Sequence, residues 1–209
     1  MDAGKVRRLA YVLLKSKFFL DNYLVHHSKE EDSMNSNPWK LQVWHRDKGS
    51  KKGQLRNLSD KKGLQDNLTQ LLSMFEVSFT ARQRKNYLFY CLFYLMKARK
   101  LEIEEYSTFV EGLADRYFCK VYLDGSKLNA INTPIPGSFD EVMLEGHSLS
   151  QSSFEVPNRS VFAEIYGDGR EASKGVPLFI FNYLDYKLWK LYDEDLCGKD
   201  TEKGSKVLL

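Results

Sequence analysis

Apolar positions recur with a helical period over most of this chain. Val6, Leu9, Ala10, Leu13, Leu14 and Phe18 fall at i, i+3, i+4, i+7, i+8 and i+12, one stripe that predicts a helix over residues 5–27. Lys5, Arg7, Arg8, Lys15 and Lys17 make it basic. A helix lying on a membrane surface would look similar. Here the stripe runs on into Phe18, Phe19 and Tyr23, which predicts packing on a core with a solvated basic face. Three closely spaced helices follow beyond residue 62. The first carries Leu64, Leu68, Leu71, Leu72 and Phe75 on one face. The second opens at a capping-box pattern, Thr80 to Gln83, and runs to about Lys100. Between Tyr87 and Leu95 it is apolar on every side, as expected of a central, fully packed helix. The third places Ile103, Tyr106, Val110, Leu113, Ala114 and Tyr117 on one stripe. Short links imply antiparallel neighbours.

Two stretches break the helical period. Residues 28–62 begin as a polar loop with Glu30, Glu31 and Asp32. Pro38 to Trp44 then alternates apolar and polar, which fits either a short strand or an irregular packed segment. Residues 45–62 read as a flexible loop dense in lysine and glycine. Residues 124–175 are also irregular. Pro134, Pro136 and Gly137 mark a turn, and Ser138 to Glu141 is a second capping-box pattern opening a short helix. Ser148–Ser153 reads as a polar, mobile stretch, and Arg159–Tyr166 fits helix or strand equally. A last helix starts near Pro177, where a missing N–H costs nothing, and runs to about Leu196. Its segment from Val176 to Trp189 is almost saturated with large apolar and aromatic side chains, which predicts that it is wedged into the core, with Phe181 and Tyr183 buried. The residues from about 197 to 209 read as a mobile tail.

These patterns predict a mainly α fold: a single helical domain over residues 1–209 with an aromatic core, irregular insertions and at most a short β-hairpin or strand. Length and composition agree. At 209 residues, 43% hydrophobic and 28% charged, the chain can bury a sizeable core. No apolar run approaches the roughly 20 residues a bilayer span needs, and because Met1 to Lys5 leads straight into a charged amphipathic pattern no signal peptide is expected. The expectation is a cytoplasmic protein with no membrane partner. Cys91, Cys119 and Cys197 form no CxxC pair, and the first two sit within apolar helical patterns, as buried reduced thiols do.

Candidate chemistry is sparse. The four histidines, at 26, 27, 45 and 147, lack the spacing of a zinc site. Placed at the end of the first predicted helix, His26 and His27 would point about 100° apart and could not chelate one ion. No phosphate-binding GxxxxGK[ST] or GxGxxG occurs, and no GxSxG nucleophile elbow. Paired acids such as Glu104–Glu105 and Asp193–Glu194 read as solvated helix surface. No catalytic residue, metal ligand or cofactor-binding residue is therefore assigned.

Positive charge is the remaining signal. The net charge of +3 is too small to mark a nucleic-acid binder, but its placement is uneven. Lys48, Lys51, Lys52, Arg56, Lys61 and Lys62 crowd one stretch, and Arg82, Arg84 and Lys85 follow. They are the candidate contacts to a DNA backbone. Trp39, Trp44 and Tyr87 lie nearby in sequence as stacking surfaces. The competing reading makes all of these charges solubilising surface.

The segment Phe179-Ile-Phe-Asn-Tyr-Leu-Asp-Tyr-Lys-Leu-Trp189 resembles the NYLDYLLW-like helix of the GmrSD-like proteins, bacterial type IV modification-dependent restriction systems. Trp39-Lys-Leu41, Leu71–Ser78 and Tyr87–Leu95 are similar to landmarks of that family's helical region. Members join a ParB/sulfiredoxin-like nucleotide-hydrolysing domain to an HNH nuclease domain. Neither the D-G-Q-Q-R-like nor the H-x-x-P-like signature occurs here, so the resemblance implies a fragment without catalytic residues. It further implies a non-catalytic module of a phage-defence protein, linking flanking nucleotide-hydrolysing and nuclease domains and contacting DNA. A helical protein–protein interaction domain is the alternative, and an enzyme whose pocket carries no motif is a third reading.

Overall fold

The structure, a computed structural model, describes residues 2–28, 38–49, 51–79, 85–145, 165–166 and 175–205, with side chains described as far as Asp193. Thr80–Gln83, Ser148–Ser153 and most of Arg159–Tyr166 lie outside the described residues. Among the described residues the protein is mainly α, with two short antiparallel strand pairs. It divides into two compact units, one formed by residues 1–73 and 84–110 and the other by 74–83 and 111–209.

In the first unit, α1 (Ala3–Tyr23) starts where the Asp2 carboxylate accepts from the Gly4 amide, an N-cap. The helix stops at Leu24, which turns to extended backbone. The sequence pattern places His26 and His27 at the end of the helix, but the helix stops before them. They form β1 (His26–His27), antiparallel to β2 (Trp39–Lys40), with the His27 ring edge-on to Trp39 at 5.1 Å. The apolar stripe of α1 is corrected too. Phe19 and the Asn22 side chain are buried, but Val6, Leu9, Leu13, Leu14 and Phe18 are exposed. Periodicity reports that a helix has an apolar face; it does not report what covers that face.

The core of this unit comes from α2 (Lys62–Ser78), α3 (Tyr87–Lys97) and the first half of α4 (Ile103–Tyr117). Leu68, Leu71 and Leu72 from α2 are fully buried, as are Cys91 and Leu95 from α3 and Tyr106 and Val110 from α4. Each such aliphatic side chain contributes about 1.5–3 kcal/mol by leaving water. Tyr106 is buried whole, yet its hydroxyl donates to the Tyr23 carbonyl at 3.1 Å. α3 is not apolar-packed on every side. Phe89 is 62% exposed and Phe93 also faces solvent, the two rings stacked on each other at 6.0 Å.

In the second unit, α4 passes into a π-helical turn, Phe118–Leu123, which no sequence signal announces. α5 (Ser138–Leu144) is present as expected, but its cap differs. Gly137, at φ 91°, supplies the N-cap position, and Ser138 is the buried first residue of the helix, with no capping hydrogen bond from a Gly137 side chain to expect. The positive φ is one that glycine adopts without the steric cost of a Cβ. α6 (Leu178–Ser205) begins directly after Pro177, whose carbonyl accepts from the Ile180 amide. It continues past Leu196, where the apolar pattern ends.

Phe179 centres this unit's aromatic core. Its ring lies 5.0 Å from Tyr117, 5.2 Å from Tyr122 and 6.1 Å from Phe75. Aromatic pairs at such separations add about 0.5–1.5 kcal/mol beyond area burial. α6 is half in and half out of this core. Phe179, Ile180, Tyr183 and Tyr186 are buried, whereas Phe181 is 53% exposed and shares an outer face with Leu184, Leu188 and Leu191. The expectation that Phe181 is a core residue is thus overturned. A two-sided apolar helix carries no internal mark of which side faces inward.

The buried side of α6 is fastened by charge. Lys187 lies 2.8 Å from Glu111 and 2.9 Å from Asp115, and Lys190 reaches Glu111 at 2.8 Å. The Tyr183 hydroxyl donates to Asp115 at 2.7 Å. Burial pushes the Tyr183 hydroxyl well above the ordinary tyrosine range, and Asp115 adds to the shift. That group is a structural donor.

Candidate nucleic-acid interface

The basic stretch that reads as a loop is in fact a hairpin. β3 (Gln42–His45) pairs antiparallel with β4 (Gln54–Asn57), in the register Gln42 with Asn57, Val43 with Arg56, Trp44 with Leu55 and His45 with Gln54. The alternating stretch from Pro38 to Trp44, which fits a short strand or an irregular segment, is extended but divided at Leu41 between β2 and β3, which belong to different sheets. The partner strand of β3, only four residues long, was hidden among the charges. Between the strands the chain turns through Gly49, whose φ of 89° suits glycine.

Two buried polar side chains fix the hairpin to the first unit. The Asn22 oxygen accepts from the Trp44 amide at 2.9 Å, while its nitrogen donates to the Phe18 carbonyl at 2.7 Å. Gln65 of α2 donates to the carbonyl of buried Leu41 at 2.8 Å and accepts from the Ser59 amide at 3.0 Å. The first bond holds β3, and the second pair brackets the hairpin on either side. Sequence reasoning passed over both residues, because a lone Asn or Gln within a helical pattern carries no signal of its distant partner.

Among the candidate contacts, Lys48, Lys51, Lys52 and Arg56 are brought together on this hairpin, all exposed, with Arg46 beside them. Asp47 is its one acidic residue, and it already engages Arg56 at 2.9 Å and His45 at 3.2 Å. Lys48, Lys51 and Lys52 all lie on the connection between the strands and are exposed. Lys61 and Lys62 lie at the start of α2. Lys61 pairs with Glu104 at 2.6 Å, which holds its ammonium above the ordinary lysine value and the Glu104 carboxyl below its own. Lys85 sits half-buried just ahead of α3, and Arg82 and Arg84 lie outside the described residues.

The expected stacking surfaces separate sharply. Tyr87 is buried and unavailable, and Trp39 is half-buried against His27. Trp44 is 60% exposed and faces outward across from Leu55, itself exposed.

Elsewhere, the second unit holds an open cavity of about 330 Å³ lined by Phe79, Tyr122, Asn132, Pro134, Pro177 and Phe179 among others. Its hydroxyl groups offer little chemistry: Tyr122 is pushed far above the ordinary tyrosine range by burial, and Ser78 accepts from Asn182 at 3.0 Å. Among the described residues, no three His, Cys, Asp or Glu side chains are placed to hold a metal ion, and no helix is long and apolar enough to cross a membrane. Compared with known proteins, the chain matches no family model, no curated protein and no solved structure.

Proposed function

We propose that this chain is a non-catalytic module that contacts a nucleic-acid backbone through the β3–β4 hairpin, as the linking region of a GmrSD-like restriction protein would. The observation that carries the reading is the charge balance of that hairpin. Along the hairpin's own sequence five cations, Arg46, Lys48, Lys51, Lys52 and Arg56, outnumber the single acid Asp47, which engages Arg56 and His45. A ribbon of that charge, held to a folded unit by Asn22 and Gln65, presents ammonium groups to phosphates at little ordering cost to the strands. In such a protein the flanking nucleotide-hydrolysing and nuclease domains supply the chemistry.

The test is a salt titration of binding to a short labelled duplex. Log K falls with log salt by about 0.9 for each neutralised phosphate. Changing Lys48, Lys51 and Lys52 together to Ala flattens the slope by up to about 2.7 if each meets a phosphate. Arg56→Ala alters it less, since Asp47 already offsets that charge. A slope unchanged by the triple substitution, or no binding at low salt, removes the reading.

A protein–protein interaction module is the second reading. It is favoured by the outer face of α6, where Phe181, Leu184, Leu188 and Leu191 follow a 3-4-3 spacing and all face solvent. Apolar stripes of that kind mark interaction surfaces.

A further inference from the structure

Resting on that reading of the hairpin, we infer that its ligand is single-stranded nucleic acid, with an unstacked base laid on the Trp44 indole. The indole is 60% exposed, one residue pair from the end of the ladder and next to the lysine-bearing connection. It is not a loosely placed side chain. A Cβ built on Gly53 would lie 2.5 Å from Cε2 and Cζ2 and 2.6 Å from Nε1, so the ring rests directly on the backbone there. Gly53 permits this close approach because it has no side chain. One side of the indole is thereby supported and the rest is left to solvent. Leu55, opposite in the register and 58% exposed, extends the apolar surface.

Phosphate contact alone has no use for such a surface. Lysines neutralise phosphates equally well on single and double strands, and exposed Trp and Leu add nothing to that. In a duplex the faces of the bases are covered by their neighbours, and only edges and backbone are offered. An unpaired strand presents whole π-faces beside its phosphates, and an aromatic platform within a basic groove holds it without regard to sequence. Of the three candidate stacking residues Trp44 is the one left open, since Tyr87 is buried and Trp39 is engaged with His27. The expected site is therefore short, one stacked base flanked by backbone contacts to Lys48, Lys51 and Lys52.

The test compares four labelled probes of roughly twelve nucleotides at one salt concentration: oligo-dT, oligo-U, an abasic strand of the same length and a duplex. Oligo-dT or oligo-U should bind more tightly than both the abasic strand and the duplex, and the comparison between the two identifies the DNA or RNA source. Trp44→Ala should weaken binding of the preferred single strand on the order of tenfold or more, and leave the abasic strand and duplex within about twofold. Gly53→Ala keeps the indole but displaces it, and should reproduce the loss in part. This second variant separates platform geometry from a folding defect. If the abasic strand binds as well as the preferred strand, or Trp44→Ala lowers all probes alike, the inference is overturned while the backbone reading stands. If no probe binds, or binding ignores the lysine substitutions, both fall.

Discussion

The side-chain oxygen of Asn22 accepts a hydrogen bond from the Trp44 amide at 2.9 Å, across 22 residues of chain. Asn22 is buried near the end of α1, and Trp44 is the most outward aromatic residue of the hairpin. A single amide thus joins the end of the first helix to the strand that carries the candidate platform. Asn22→Ala would strand the Trp44 N–H at a cost of about 1–3 kcal/mol. Denaturant unfolding should show that loss, and amide exchange at Trp44 should accelerate. Unchanged exchange at Trp44 would mean that the hairpin is held without Asn22.

Phe179 and Phe181 lie two residues apart on α6 and differ in every contact. Phe179 is 3% exposed amid the rings of Tyr117, Tyr122 and Phe75. Phe179→Ala should cost about 3–5 kcal/mol, the range for a buried phenylalanine. Phe181→Ala, on the outer face, should change stability by less than about 0.5 kcal/mol. Equal losses in chemical denaturation would show that the outer face is covered in solution.

The Glu111 cluster gives stability a defined acid limb. Burial raises the Glu111 carboxyl, but its bonds to Lys187 and Lys190 outweigh that and hold it below its ordinary value near 4.5. A depressed carboxyl contributes fully above the unfolded value and loses that contribution as pH falls through the folded one. Stability should therefore decline below about pH 4.5, and Glu111→Gln should flatten this part of the curve. At the other end, burial would lower Lys187, yet Glu111 and Asp115 keep it above its ordinary 10.5. Its contribution is complete below that value and is lost as pH rises beyond it. At neutral pH, Glu111→Gln should cost about 1.5–3 kcal/mol, as for other hydrogen bonds to charged groups. Thermal melts between pH 3 and 8 measure the acid limb and the cost of Glu111→Gln at neutral pH, and parallel curves for the two proteins would refute the assignment.

Cys91 should be chemically silent in the folded protein. It is completely buried, and burial pushes its thiol up to about 12. Thiolate is the reactive form, so at pH 8 only about one molecule in ten thousand would carry it, and reagent cannot reach it. Peptide mapping after iodoacetamide treatment should find Cys91 unmodified in native protein and modified after denaturation. Modification under native conditions would show that α3 opens readily.

The pattern of apolar positions alone was enough to place the helices and the inner faces of two of them. Leu68, Leu71, Leu72 and Phe75 on α2, and Tyr106, Val110, Leu113, Ala114 and Tyr117 on α4, are all buried as their spacing predicts. Each has one apolar face and one polar face, so a single solution buries the first and solvates the second. That logic fails for α1, α3 and α6, where more large apolar side chains are present than the described structure covers. Which of Phe179 and Phe181 turns inward was decided by Tyr117, Tyr122 and the Glu111–Lys187 pair, none adjacent in sequence. The hairpin lay beyond local reading for the same reason. β4 is four residues long and exposed throughout, so it leaves no periodic signal, and the hairpin is held by Asn22 and Gln65 through bonds to backbone groups 22 and 24 residues away. The sequence by itself determined that positive charge is concentrated between residues 45 and 62. Only the tertiary structure decided that this charge rides on a ribbon, that Tyr87 is buried while Trp44 faces out, and that Asp47 and Glu104 quench two of the cations. Charge density is a property of composition. Its availability depends on which partners the fold brings within reach.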